Sequence, residues 1–196
     1  MVRVGARLPR VDRFVNADRR LLRVLESRRL TLVAASPELV DADLAGAAEF
    51  AVALGAEVPP EWPPALFGGS FMRAVQAQLA HPGEQGWSVW YLLDPEATPA
   101  VVIGMCQFKG RPDAAGSVEI AYAILDRYRA RGYATEAVAR LIEWAFGHQN
   151  VVQVTAETMP HLRSSIRVLE KVGMAPAGPG SEYGVVRYAV RKGSNR

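Results

Sequence analysis

The 196-residue chain is expected to fold as a single α/β domain built on a mixed sheet. Three observations lead there. Val118 to Leu125 is apolar apart from Glu119 and combines β-branched with aromatic side chains, as a buried strand does. After Gly132, apolar residues recur at Ala134, Ala137, Val138, Leu141, Ile142, Ala145 and Phe146, the spacing of a helix with one buried face. A second strand and helix follow: Val151 to Glu157 reads as extended, and the stretch from Pro160 reads as a helix stopped by Gly173.

The other elements take their places in chain order. Residues 1–27 read as a basic, partly helical extension, with Val11, Phe14, Val15, Asp18, Leu21, Leu22 and Leu25 on one helical stripe. Arg28 to Val33 is a first strand. Ser36 and Pro37 supply an N-cap and a first-turn proline, opening a helix that runs to about Leu54, where Gly55 ends it. Pro59 to Pro64 is a stiff loop, and a second helix spans Pro64 to Leu79. Trp87 to Leu93 and Ala100 to Lys109 read as strands around a turn at Asp94 and Pro95. Gly184 to Arg191 is a last strand, and residues 192–196 form a frayed tail. The domain proper is therefore 28–191.

Composition narrows the function classes. Apolar residues make up 49% of the chain and charged ones 22%, enough for a sizeable core. Arginine outnumbers lysine 20 to 3, and the net charge of +3 is too small to argue for nucleic acid. The charge is uneven. Nine arginines against three carboxylates fall in residues 1–30, which leaves 14 basic against 17 acidic groups in the remainder. The arm is expected to pack on the domain or on a second copy, a homodimer being one such arrangement; contact with RNA or an acidic protein is the alternative. Cys106 is the only cysteine and lies in an apolar run, which excludes an intrachain disulfide and suggests a buried thiol. No apolar run reaches the ~20 residues of a membrane span, and no secretory leader is evident, so the cytoplasm is the expected location. His81, His148 and His161 are scattered and carry no metal-ligand spacing, so no metal is expected.

Between the 118–125 strand and the following helix, Arg127, Arg129 and Arg131 crowd the helix start. A helix N-terminus offers unpaired N–H groups and the positive end of its dipole, so arginines there suit a di-anion such as a pyrophosphate. The run from Arg129 to Ala134 fits Arg/Gln-x-x-Gly-x-Gly/Ala, and with its strand and helix it resembles motif A of the GNAT superfamily of N-acetyltransferases. The segment 151–174 resembles that family's closing strand and helix, most closely in the branch of ribosomal-protein-alanine N-acetyltransferases and their small-molecule-modifying relatives.

The resemblance implies a GNAT-like, mostly antiparallel sheet flanked by helices, and acetyl-CoA as acyl donor. It implies a cofactor site made by Tyr122, Ala123 and Ile124 on the strand and by Arg129, Ala130, Arg131, Gly132, Tyr133, Ala134 and Thr135 in the turn. The acceptor is then a primary amine, on a protein N-terminus or a small molecule. Glu119, the one charge in its strand, corresponds to a proposed base; a structural ion pair and simple exposure are the other readings. Ser165 is the second catalytic candidate, near the thiol. Leu162 stands where many members carry Asn, and Glu170 where many carry a thiolate-protonating Tyr. Those departures keep a non-catalytic acyl-CoA-binding sensor or partner-binding protein as the alternative to an enzyme. Trp62, in its proline-rich loop, reads as a core or loop anchor, with a wall of the acceptor pocket as the alternative.

Overall fold

The computed structural model describes residues 23–193. The helical stripe expected over Val11 to Leu22 and the end of the tail lie outside that range. The chain enters at β1 (Val24–Glu26), pairs back through β2 (Thr31–Ala34), and then forms α1 (Pro37–Ala45), α2 (Ala47–Leu54) and α3 (Gly69–Leu79). Three strands follow, β3 (Val89–Asp94), β4 (Val101–Phe108) and β5 (Ser117–Ile124), then α4 (Tyr133–Phe146), β6 (Gln153–Thr158), α5 (Arg163–Lys171), β7 (Ala175–Pro179) and β8 (Val186–Arg191). The sheet has the order β1-β2-β3-β4-β5-β6-β8-β7. Among the described strands one pair is parallel, β5 with β6, so the sheet is mixed and mostly antiparallel.

Strand alternation divides the core into two layers. On one face Leu32, Trp90, Leu92, Phe108, Val118 and Ile120 meet Ala137, Val138 and Leu141 of α4 and Leu169 of α5. On the other, Val33, Val89, Tyr91 and Met105 meet Leu39 and Val40 of α1, Phe50 of α2, and Met72 and Val75 of α3. Trp62 belongs to this second layer. Its Nε1 donates to Asp43 at 2.8 Å, and its ring lies 5.5 Å from that of Phe50, so it is a core anchor rather than a pocket wall. No helix among the described residues is long and apolar enough to cross a membrane.

Three expectations are corrected and one strand is added. Leu25 is a strand residue paired with Leu32, so the sheet begins at Val24, ahead of residue 28. The single helix over 37–54 is two, because Gly46 turns out of helical geometry at φ 149°. A Cβ there would also sit 3.1 Å from the Glu49 carboxylate. The helix expected from Pro64 begins at Gly69, since Phe67 N–H closes a turn on the Pro64 carbonyl at 2.8 Å. Strand β7 was not expected: its two prolines and one glycine read as loop, yet an edge strand tolerates missing N–H groups.

Candidate active site

The site is set by where two strands part. β5 and β6 pair over only three rungs, Ser117 with Gln153, Val118 with Val154 and Glu119 with Thr155. Beyond them β5 stays paired with β4 up to Ile124 opposite Gly104, and β6 stays paired with β8 up to Thr158 opposite Val186. The two strands therefore diverge, and among the described residues the edge of β5 that faces β6 has no strand partner past Glu119. An open strand edge offers N–H and C=O groups to any extended ligand that carries amides.

At the far end of β5 the chain makes a 3₁₀ turn over Asp126–Tyr128 and reaches α4 through two left-handed residues, Ala130 at φ 60° and Gly132 at φ 82°. Gly132 caps α4 with no side-chain hydrogen bond. Among the described residues nothing accepts from the N–H groups of Gly132, Tyr133, Ala134 or Thr135; the first bond of the helix is Glu136 N–H to the Gly132 carbonyl at 3.0 Å. The result is a cradle of exposed N–H donors at the positive end of a 14-residue helix.

The three arginines of the turn divide their work. Arg129 folds back, its Nε on the Ile124 carbonyl at 3.1 Å and its guanidinium on Asp126 at 2.8 Å, which braces the turn. Arg127 lies 3.8 Å from Glu61 and over the Tyr128 ring. Arg131 also lies over Tyr128, with no carboxylate in reach among the described residues.

Sequence reasoning missed Arg29. Its backbone N–H and its Nε both donate to Glu136, at 2.5 and 2.7 Å, and its Nη1 donates to the Arg131 carbonyl at 2.9 Å. Its guanidinium covers the Tyr133 ring at 4.6 Å. The Ser27 hydroxyl donates to the same carboxylate at 2.8 Å. Desolvation would raise the Glu136 carboxyl, but the Arg29 and Ser27 bonds and the Arg29 charge outweigh it and hold it below the usual range. The one local signal was an acidic residue in the first turn of a helix; its partner lies 107 residues away.

The two catalytic candidates are on opposite faces of the sheet. Glu119 sits on the last rung before the divergence, on the face away from Val118 and Ile120. It pairs with Lys109 Nζ and lines a groove of about 560 Å³ with Thr155, Gln153, Arg187 and Arg191. Glu119 thus makes an ion pair and also faces an open groove. Ser165, on the first turn of α5, meets Tyr122 on the other face: the two hydroxyls are 3.1 Å apart, and the Tyr122 hydroxyl donates to the Ser165 carbonyl at 3.1 Å. Burial pushes the Tyr122 phenol up to about 12, against the lowering effect of its bond with Ser165. Cys106 is fully buried as a free thiol, and burial raises it well above the ordinary range. No group of three His, Cys, Asp or Glu among the described residues could hold a metal.

The divergent half of β6 is braced by Glu157. Its carboxylate accepts from the Ser181 amide and hydroxyl and from Arg187, at 2.6–3.0 Å. Desolvation would raise this carboxyl, but the Ser181 and Arg187 bonds and the Arg187 charge hold it at about 2. A depressed carboxyl stabilises the fold fully above its unfolded value of ~4.3, and that contribution is lost as the pH falls toward the folded value. Glu157→Gln should lower the Tm at pH 7, by about 1–3 kcal/mol of stability. Its acid melts should also flatten between pH 4.5 and 2 relative to wild type. Parallel acid curves for the two proteins would contradict this role.

A mixed sheet split at one parallel pair, with an uncapped helix N-terminus at the end of the strand bordering the split, is the frame of an acyl-coenzyme A transferase. The profile of the acetyltransferase (GNAT) domain family matches residues 29–175, and the chain belongs to that family. It is an N-acetyltransferase that takes acetyl from acetyl-CoA. An N-acetyltransferase of Bacillus subtilis, YjdG, is 29% identical over 160 residues, covering 82% of this chain and 94% of that protein. Among solved structures, a ribosomal-protein-S5-alanine acetyltransferase from Vibrio fischeri aligns with a TM-score of 0.64 at 16% identity, over 89% of this chain and 99% of that one. A ribosomal L7/L12 α-N-protein acetyltransferase in complex with coenzyme A aligns with a TM-score of 0.63 at 16% identity, over 86% and 98%. These two likenesses are of fold.

Proposed function

We propose that the chain transfers acetyl from acetyl-CoA directly to a primary amine, with both bound at once, and that a protein or peptide N-terminus is the acceptor. One observation carries the reading: the free edge of β5 runs from the open N–H cradle of α4 to Glu119. Five residue steps separate Ile124 from Glu119, about 16 Å of extended strand. The N–H groups of Gly132 to Thr135, with Arg131 beside them, hold the pyrophosphate. The edge of β5 at Tyr122 to Ile124 takes the amides of the pantetheine arm. The thioester then comes to the point where the strands part, next to Glu119.

There Glu119 removes the proton from the acceptor ammonium, directly or through one water, as the amine nitrogen bonds to the thioester carbon. The carbon–sulfur bond breaks, the nitrogen gives up its second proton to the departing thiolate or to solvent, and coenzyme A leaves as the thiol. At pH 7, deprotonation costs roughly 1.4 kcal/mol for an α-amine and roughly 4.6 for a lysine, so a single carboxylate suits an N-terminus. Tyr122, protonated throughout the working range, and Ser165 supply hydroxyls on the opposite face. Direct transfer agrees with the burial of Cys106, which leaves no exposed thiol among the described residues to carry an acetyl group. That unpaired thiol also suits a reducing cytoplasm. A small-molecule amine is the second reading, favoured by a groove of about 560 Å³, within the range of small-ligand sites.

Acetyl-CoA should raise the Tm, since a ligand bound only by the native state stabilises it by about 2.7 kcal/mol at 100-fold excess over Kd. No shift at millimolar acetyl-CoA would refute the cofactor site. Initial rates with both substrates varied should give intersecting lines; parallel lines would refute the ternary complex.

A further inference from the structure

The groove beside Glu119 has a chemical character of its own. Its floor is small: Thr155 of β6 and Ala189 of β8 share the row of Glu119 across the sheet. Its banks are cationic. Lys109, Arg111, Arg187 and Arg191 line it with two carboxylates, Glu119 and Asp113, and a third carboxylate, Glu157, holds Arg187 from outside the lining. One Asp113 oxygen is occupied by the backbone N–H groups of Ala115 and Ser117, both at 2.9 Å. Arg111 is exposed and has no carboxylate in ion-pair reach among the described residues. This excess is local, because residues 31–196 carry 14 basic against 17 acidic groups. A body of net negative charge has gathered four cations around the mouth of its reaction centre.

We infer that the acceptor is a primary amine carrying an anionic group about 10 Å from the reacting nitrogen, and that the basic groove reads that anion. This inference rests on the acetyl-transfer reading above. The distance follows from the sheet. An amine at Glu119 lies two strand spacings from β8, about 10 Å, and Arg187 and Arg191 flank that point. Three residues of extended peptide span the same length. A free N-terminus followed by Asp or Glu at the third or fourth position fits the groove. A long amino-carboxylate or amino-phosphate presents the same chemistry. The Lys109–Glu119 pair keeps the nearest cation engaged, so the acceptor ammonium meets a carboxylate while its anion meets Arg111 and the two arginines that flank Ala189, of which Arg187 also holds Glu157.

The test compares acetylation of an unblocked octapeptide with Glu at position three, its Gln counterpart, and a third peptide with Glu moved to position eight. ω-Amino carboxylates and amino phosphates of graded length form a second arm. The expected result is a kcat/KM about tenfold higher for the position-three acid, an advantage that fades with added salt. In Arg111→Glu and in Arg191→Glu the advantage should fall to about twofold or less, with the acetyl-CoA-induced Tm shift unchanged. A graded preference confined to the small amines supports the anion rule and identifies a small acceptor. Equal rates for acid and amide in both arms overturn it, as does an acid preference that survives both charge reversals. An absent Tm shift with acetyl-CoA would instead strike the acetyl-transfer reading itself.

Discussion

Replacing Gly132 with valine is expected to cost the protein about 10- to 100-fold in acetyl-CoA affinity while the domain stays folded. Gly132 sits at φ 82°, where a β-branched residue is strained by about 1–3 kcal/mol. Each 1.4 kcal/mol is a factor of ten in binding if the turn must keep its shape to hold the ligand. Space makes matters worse. A Cβ on Gly132 would lie 3.3 Å from the Arg29 guanidinium, and the γ-methyls of valine would extend beyond it. If the turn relaxes instead, the N–H groups of Tyr133 to Thr135 lose their common aim. The residue is exposed, so the core packing of α4 is not at stake. Calorimetric titration is the measurement, with Gly132→Ala as a variant that has the strain without the bulk. Unchanged affinity in a folded valine mutant would reduce the turn to a basic loop.

Glu119→Gln is expected to lower kcat by about 10²–10⁴-fold. The amide keeps the shape of the carboxylate but cannot accept the ammonium proton. Acetyl-CoA affinity should change little, because the cradle lies at the other end of β5. Stability should hardly move: the pair with Lys109 is partly exposed, at 25% and 48%, and such pairs contribute about 0–1 kcal/mol. A purely structural carboxylate behaves differently, with an earlier melt and weaker coenzyme binding accompanying the loss of rate. Near wild-type kcat across pH 6 to 9 would remove Glu119 from the chemistry and leave positioning to carry catalysis.

What the sequence makes legible here is what short-range pattern encodes. The strand over 118–125, the turn and α4 all announce themselves within 30 residues, because period, glycine and charge change in step. The interruption at Gly46 is hidden by an apolar stripe that continues through Leu39, Val40, Phe50 and Leu54 on both sides of it. Strand β1 is hidden because three residues are too few to show alternation against a helical stripe. The site is legible only by halves. Glu119 stands out as a charge in an apolar strand, but its partner Lys109, the divergence from β6 and the Arg187 bank all follow from strand register, which local pattern does not contain. Arg29 gives no signal at all until Glu136 is brought beside it.

That last contact has a kinetic meaning. The cradle for the coenzyme is assembled from a loop near the start of the domain and a helix more than a hundred residues later, locked by one carboxylate. Closing so long a loop is slow and comes after local structure has formed. A nascent or partly folded chain can already possess α4 and its glycine turn and still lack the brace that shapes them. Coenzyme capture therefore reports the completed tertiary structure rather than the presence of the motif, and a refolding chain should regain its helical signal before it regains its ligand.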